Sequence, residues 1–329
     1  MSLKDSHPNG SQGQVLLEEK RAKIIELRNL LGAVPEKLLL YCHDASISRY
    51  LTARNWNVKK AAKMLKETLK WRLEYKPEEI HWDEIAHEAV TGKIYRSNCF
   101  DKFGRSILVM RPGFQNTKSI KGQIRYLVYC MENAILNLPA DQEQMVWLID
   151  FHGFNLSNLS IKVTKETADV LQNHYPERLG LAILYNPPKF FEPFWTVVKP
   201  FLEPKTYRKV KFVYSDNQSS MKLMEEFFNM DELDQAFGGK SDAEFDIKEY
   251  ANRMREDDKK RLVYNSRGND DACSLVVGEE PPRNLVEIVP DESVEENLRK
   301  SSSLDEMVAN RDELSEGDKH QVSQEKYVN

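Results

Sequence analysis

Cysteine is scarce. The chain has four in 329 residues, at positions 42, 99, 130 and 273, with no Cys-x-x-Cys pair. Thiols so far apart argue against a zinc cage or a dense disulfide framework and predict free thiols in a reducing compartment. Long apolar runs are also missing: none approaches the ~18 residues that a membrane-spanning helix needs. The segment Met1 to Gln14 is polar and contains glycine and serine, unlike a secretory signal. The expected location is therefore the cytoplasm, or a membrane periphery.

Signatures of catalysis are absent too. There is no Gly-x-Gly-x-x-Gly, no Gly-x-Ser-x-Gly elbow and no His-Glu-x-x-His. Gly238-Gly-Lys-Ser241 ends like a phosphate loop, but the glycine such a loop needs at position 234 is Asp234. His81 and His87 stand near Glu84 and Glu88 and read as surface histidines on a short helix rather than metal ligands. Asp150 follows an apolar run without a base or nucleophile beside it, so its carboxylate is expected to accept from backbone donors. These absences predict a binding protein without enzyme activity, metal, cofactor or nucleic-acid partner. A small hydrolase on the same scaffold is the enzyme alternative.

What is present is an ordinary globular composition, 40% hydrophobic and 30% charged, with net charge −5. The charge is uneven. Residues 1–240 hold 34 Lys and Arg against 29 Asp and Glu, whereas residues 241–329 hold 13 against 23. A basic body with an acidic tail suits contact with an anionic surface, although charge also varies from segment to segment without function.

Residues 1–15 are expected to be disordered. Residues 16–80 read as a helical lobe: Leu17, Ile24, Leu27 and Leu31 share one face, and Asp44 caps a helix through Ile47, Tyr50 and Leu51. Asn55 to Asn57 breaks that helix, and Val58, Ala62, Leu65, Leu69 and Leu73 mark the next. The pattern then changes. Asp101-Lys-Phe-Gly104-Arg is a turn signal before a strand at Ser106 to Arg111. An amphipathic helix through Ile124 and Leu138 and a buried strand at Met145 to Ile149 follow, then a helix at Val163 to Asn173. Further strands are expected at Leu181 to Leu184 and Val210 to Tyr214, with a helix at Ser219 to Phe228. This alternation predicts an α/β fold, with a mainly parallel sheet over residues 90–245. A helix at Phe245 to Asp258 and an acidic, disordered tail from Lys259 complete residues 246–329.

Between the last two strands lies an unusually apolar stretch, containing Phe190, Phe191, Phe194, Trp195, Val197, Val198, Phe201 and Leu202. A helix apolar nearly all round is either an ordinary buried crossover or the cover of something apolar that is not protein. Periodicity alone leaves both open. Pro188 and Pro193 suit an entry and first turn, and Lys199 before Pro200 is expected to leave the α region and form a hinge.

The motifs around this stretch resemble those of the CRAL-TRIO lipid-binding family, in particular its Sec-fourteen phosphatidylinositol-transfer branch. They are Tyr175-Pro-Glu-Arg-Leu-Gly180, Tyr185-Asn-Pro-Pro, Lys199-Pro-Phe-Leu-Glu-Pro-Lys-Thr206 and Phe237-Gly-Gly-Lys. Tyr50-Leu-Thr-Ala-Arg54-Asn-Trp-Asn-Val58, Asp101-Lys-Phe-Gly-Arg105 and Ile149-Asp-Phe-His-Gly153 agree, so the resemblance covers residues 35–245. It implies a lid of Phe190, Phe191, Phe194, Trp195, Val198, Phe201 and Leu202 over a lipid cavity. It also implies a headgroup set of Arg54, Glu177, Thr206 and Lys209, in which the cations neutralise a phosphodiester while Thr and Glu bind hydroxyls. Without the resemblance, Arg54 reads as a lobe-to-core ion pair and Lys209 as a solvated strand end.

Two departures stand out. A basic residue often follows the Ala-Arg pair in the family; here it is Asn55. Asn155 and Ser157 occupy the possible second headgroup subsite where phosphatidylcholine binders carry hydroxyls, and Leu108 and Leu136 stand where those carry tyrosines. The implied protein is a monomeric phospholipid carrier, most concretely for phosphatidylinositol, touching membranes transiently. Alternatives are a sensor presenting lipid to a lipid kinase or trafficking partner, or a binder of a sterol, fatty acid or vitamin-like ligand.

Overall fold

The computed structural model describes residues 9–274, with side chains from 13 to 262. Helix α1 spans Asn9–Leu31, so the expected disorder of residues 1–15 does not hold from Asn9 onward, and residues 1–8 lie outside the described part. Two short 3-10 turns lead to α2, Asp44–Ala53. Its cap is His43 rather than Asp44: the His43 ring accepts from the Ser46 N–H at 3.4 Å. Asn55 and Trp56 follow at φ 50° and 58°. Asn57 then caps α3, Val58–Tyr75, accepting from the Lys60 N–H at 3.0 Å. Leu27, Ile47, Leu51, Leu65 and Leu69 fill a core belonging to these helices, while the α3 lysines face solvent.

Helix α4, Trp82–Ala89, is the short helix expected around His81 and His87, whereas strand β1, Ile94–Phe100, was not anticipated. The Asp101–Arg105 turn forms as expected: the Asp101 carboxylate accepts from the Phe103 and Arg105 N–H groups. Strand β2, Ser106–Met110, pairs antiparallel with β1. Helix α5, Ile120–Leu136, strand β3, Met145–Asp150, helix α6, Ile161–His174, and strand β4, Leu179–Tyr185, continue the chain. Then come α7, Phe191–Val198, the one-turn α8, Pro204–Tyr207, strand β5, Val210–Val213, α9, Gln218–Phe227, and α10, Ile247–Ser274. Helix α10 runs past Asp258, so the expected tail does not begin at Lys259. The acidic stretch after Ser274 lies outside the described residues.

The sheet order is β1-β2-β3-β4-β5, parallel from β2 onward. This is the mainly parallel α/β sheet that the strand–helix alternation implies. Ile107, Val146, Leu148, Leu181 and Ile183 face α9 and Phe237. Leu108, Trp147 and Ala182 face the other way, toward α5. Burial on both faces explains why β3 and β4 read as continuous apolar runs. The Gly238-Gly239 pair serves packing: a Cβ on Gly239 would lie 1.9 Å from the Leu233 carbonyl oxygen. No phosphate loop forms there. Cys42, Cys99 and Cys130 are free thiols, and no described helix is long and apolar enough to cross a membrane.

Candidate functional site

On the Trp147–Ala182 face the helices stand off the sheet and enclose a cavity of about 330 Å³. Its floor includes Trp147, Ile149, Ala182 and Leu184; α5 contributes Ile124 and Leu127, and α6 contributes Ala168 and Leu171. Helix α7 closes it with Phe191, Phe194, Trp195 and Val198, and Leu202 follows. The Trp195 ring meets Phe212 edge-on at 5.4 Å, and Phe191 meets Phe151 at 4.7 Å. The stretch therefore covers a cavity rather than packing as a plain crossover helix.

Two expected lid residues do not line that cavity. Phe190 stacks on Phe154 at 6.0 Å, partly exposed at the rim. Phe201 lies beside Lys165, and its carbonyl accepts from Gln172 at 3.0 Å. The hinge expectation fails as well. Lys199 stays in the right-handed helical region, at φ −49° and ψ −42°, because Pro200 enters the first turn of a 3-10 segment, Lys199–Phe201. A proline there costs no helical hydrogen bond. The chain becomes extended only at Leu202, ψ 133°.

Leu171, Leu179 and Thr206 border both the cavity and a smaller polar pocket of about 30 Å³. That pocket contains Glu177, Thr206 and Lys209 together with Gln172, Glu203 and Lys205. Glu177 sits at φ 58°, a sparsely populated conformation of the kind that gathers at binding sites. Lys209 Nζ lies 3.3 Å from its carboxylate, and the Lys209 carbonyl accepts from the Ala182 N–H at 2.8 Å, fixing the start of β5. Arg54, at the end of α2, pairs with Glu203 at 3.2 Å. Lys205 donates to the Thr52 carbonyl at 2.7 Å.

Three of the four anticipated headgroup residues thus line one pocket, and Arg54 joins it through Glu203. Glu203, Lys205 and Gln172 were not singled out, although Glu203 and Lys205 lie inside the Lys199–Thr206 motif. The pocket is charged but internally matched. Each part-exposed ion pair contributes only ~0–1 kcal/mol, so a phosphate and hydroxyl ligand can replace either partner at little cost.

Asn155 and Ser157 are not brought to either cavity. They are exposed in a short turn, where the Ser157 hydroxyl donates to the Asn155 side chain at 2.6 Å. Asn158 and Ser160 border the cavity instead. Leu108 is fully buried against the α5 side of the sheet, and Leu136 borders a different cavity. Asp150 accepts from the His152 N–H at 2.8 Å, as expected of a structural carboxylate. Among the described residues no group of His, Cys, Asp and Glu has the arrangement to hold a metal ion.

An apolar cavity under a helical cover, with a charged pocket at its edge, has a shape and polarity that can hold an amphiphilic molecule. Family models agree with it: that of the CRAL/TRIO domain matches residues 90–239, and that of the CRAL/TRIO N-terminal domain matches residues 23–67. The chain belongs to the CRAL/TRIO family. It is 38% identical over 205 residues to a CRAL-TRIO domain-containing protein of Schizosaccharomyces pombe, across 62% of this chain and 19% of that protein. It is 35% identical over 177 residues to the phosphatidylinositol transfer protein PDR17 of Saccharomyces cerevisiae, across half of each. With the SEC14 cytosolic factor of Candida glabrata it shares 28% identity over 251 residues, covering 68% of this chain and 82% of that one. The chain thus spans about half the length, or less, of the first of these relatives. The crystal structure of Sfh5 shares the fold, with a TM-score of 0.53 at 18% identity over 75% of this chain and 92% of that one.

Proposed function

We propose that this protein binds a phospholipid, phosphatidylinositol by preference, and carries it between membranes without covalent chemistry. The carrying observation is the junction at Leu171, Leu179 and Thr206, where the apolar cavity meets the pocket of Glu177, Thr206 and Lys209. Acyl chains occupy the cavity, where each buried methylene contributes about 0.8 kcal/mol. The phosphodiester lies between Lys209 and Arg54, and the inositol hydroxyls meet Glu177, Thr206 and Glu203. The relatives named for phosphatidylinositol transfer support the same headgroup.

Choline lipids are disfavoured in this reading. The expected choline subsite holds an exposed Asn155–Ser157 pair and a buried Leu108, which offer the cation no aromatic partner. Extraction and mass spectrometry of lipids co-purifying with the protein test both statements. Phosphatidylinositol should dominate. A sterol or fatty acid as the main species overturns the phospholipid reading, and abundant phosphatidylcholine overturns the headgroup choice.

A further inference from the structure

A second cavity, about 320 Å³, lies where the turn at Lys37, α2 and α3 meet α5, α10 and the Tyr175-Pro176 turn. It is lined by cations: Lys37, Arg49, Arg72, Arg178 and Arg261. Two carboxylates, Glu78 and Glu132, share the lining, and two more, Glu143 and Asp258, pair with its arginines from the side. Cations outnumber these carboxylates five to four, and the imbalance lies at Arg49 and Arg178, since Arg72 faces both Glu78 and Glu132. Arg49 and Arg178 converge on a single oxygen, Glu143 Oε2. Arg72 and Arg261 are each more than nine-tenths buried, and each keeps an Nε–H with no hydrogen-bond partner. Fully satisfied guanidiniums would be the ordinary outcome of burial.

We propose that this arginine-lined cavity is a seat for a small phosphorylated anion, separate from the lipid cavity. Guanidinium forks match phosphate oxygens in pairs, and two arginines sharing one carboxylate oxygen beside two that each keep a spare Nε–H suit a group with several anionic oxygens. Burial and the Arg49 charge already press the Arg178 guanidinium down to about 10, and a bound anion relieves that repulsion. His43 also lines the cavity; burial and Arg49 lower it, so it adds no charge at neutral pH.

The seat adjoins the headgroup pocket, since Tyr175 and Pro176 line both. The Tyr175 hydroxyl donates to Glu132 at 2.7 Å, and Glu132 pairs with Arg72 at 2.9 Å.

The test is calorimetric titration of the full chain, at low salt, with inositol 1,4,5-trisphosphate and with inorganic pyrophosphate. Saturable binding is expected. Arg49→Gln should weaken it about tenfold or more, the scale of one lost charge-assisted contact. Lys37→Glu, at the exposed mouth, should weaken it without any effect on folding. Lys209→Ala should leave it unchanged. Competition by phosphatidylcholine vesicles containing phosphatidylinositol 4,5-bisphosphate would identify a membrane headgroup as the phosphate source, and its absence a soluble ester; both support the seat. No saturable binding, or binding lost in Lys209→Ala but kept in Arg49→Gln and Lys37→Glu, overturns the proposal. It stands apart from the lipid reading, since neither Lys37 nor Arg49 borders the lipid cavity.

Discussion

Glu177 shows how a single residue carries both a motif and a cost. Its φ of 58° is a left-handed conformation that disfavours a side chain by roughly 1 kcal/mol. Glycine adopts it freely. Glu177→Gly is therefore expected to raise stability by about 1 kcal/mol while lowering phosphatidylinositol transfer, as a denaturation midpoint and a transfer assay would show together. Lys209 offers a cleaner dissection, being part-exposed at the start of β5 with one ion-pair partner. Lys209→Ala should change stability by less than about 0.5 kcal/mol and slow phosphatidylinositol transfer about tenfold. Unchanged transfer would remove Lys209 from the headgroup contacts. The motifs made Arg54, Glu177, Thr206 and Lys209 legible. They did not reveal Glu203 facing Arg54, because those residues are 149 positions apart and only folding pairs them.

Helix α7 was legible as an element but not in its orientation. Its apolar residues are so dense that a helical wheel leaves no polar face to assign. The structure turns Phe191, Phe194, Trp195 and Val198 inward and leaves Glu192, Thr196 and Val197 outside. The outer face is thus less greasy than its sequence suggests, with Val197 exposed and Phe190 at the rim. Val197→Asp should weaken co-sedimentation with vesicles and slow transfer, yet leave the co-purifying lipid unchanged. Loss of the bound lipid in that variant would mean that Val197 supports the cavity instead. Strand β1 escaped sequence reading for a related reason. Its Arg96 is buried among Asn133 and Asp257, and Arg253 of α10 donates to the Arg96 carbonyl, so the apolar alternation is broken by a charge matched from afar.

At the scale of the whole molecule, the helical lobe joins the sheet body through buried polar groups. His174, just before the Tyr-Pro-Glu-Arg turn, stacks on Trp71 of α3 at 4.2 Å and meets the Thr68 hydroxyl at 3.2 Å. Burial, with Arg72 nearby, lowers it to about 4. Because its folded pKa lies below the ordinary value, its contribution to stability is complete above about pH 6.5 and is lost as pH falls through about 4. The contribution is on the order of 3 kcal/mol. Urea denaturation between pH 7 and pH 4 should show a steeper loss for the wild type than for His174→Gln. Parallel curves would show that His174 is not what makes this seam acid-sensitive.

The sequence by itself determined the alternation of strands and helices, the separate helical lobe and the positions of the Tyr-Pro-Glu-Arg and Lys199–Thr206 motifs. These follow from local periodicity, turn residues and short runs of chain. Tertiary structure alone decided where the helices part from the sheet to leave a cavity, which side of α7 faces it, and that five cations gather in a second one. Those outcomes rest on contacts between residues far apart in the chain, such as Arg49 with Glu143 and Arg178 with the same carboxylate oxygen. No local pattern encodes a contact of that kind, because its energy appears only when the fold removes both partners from water.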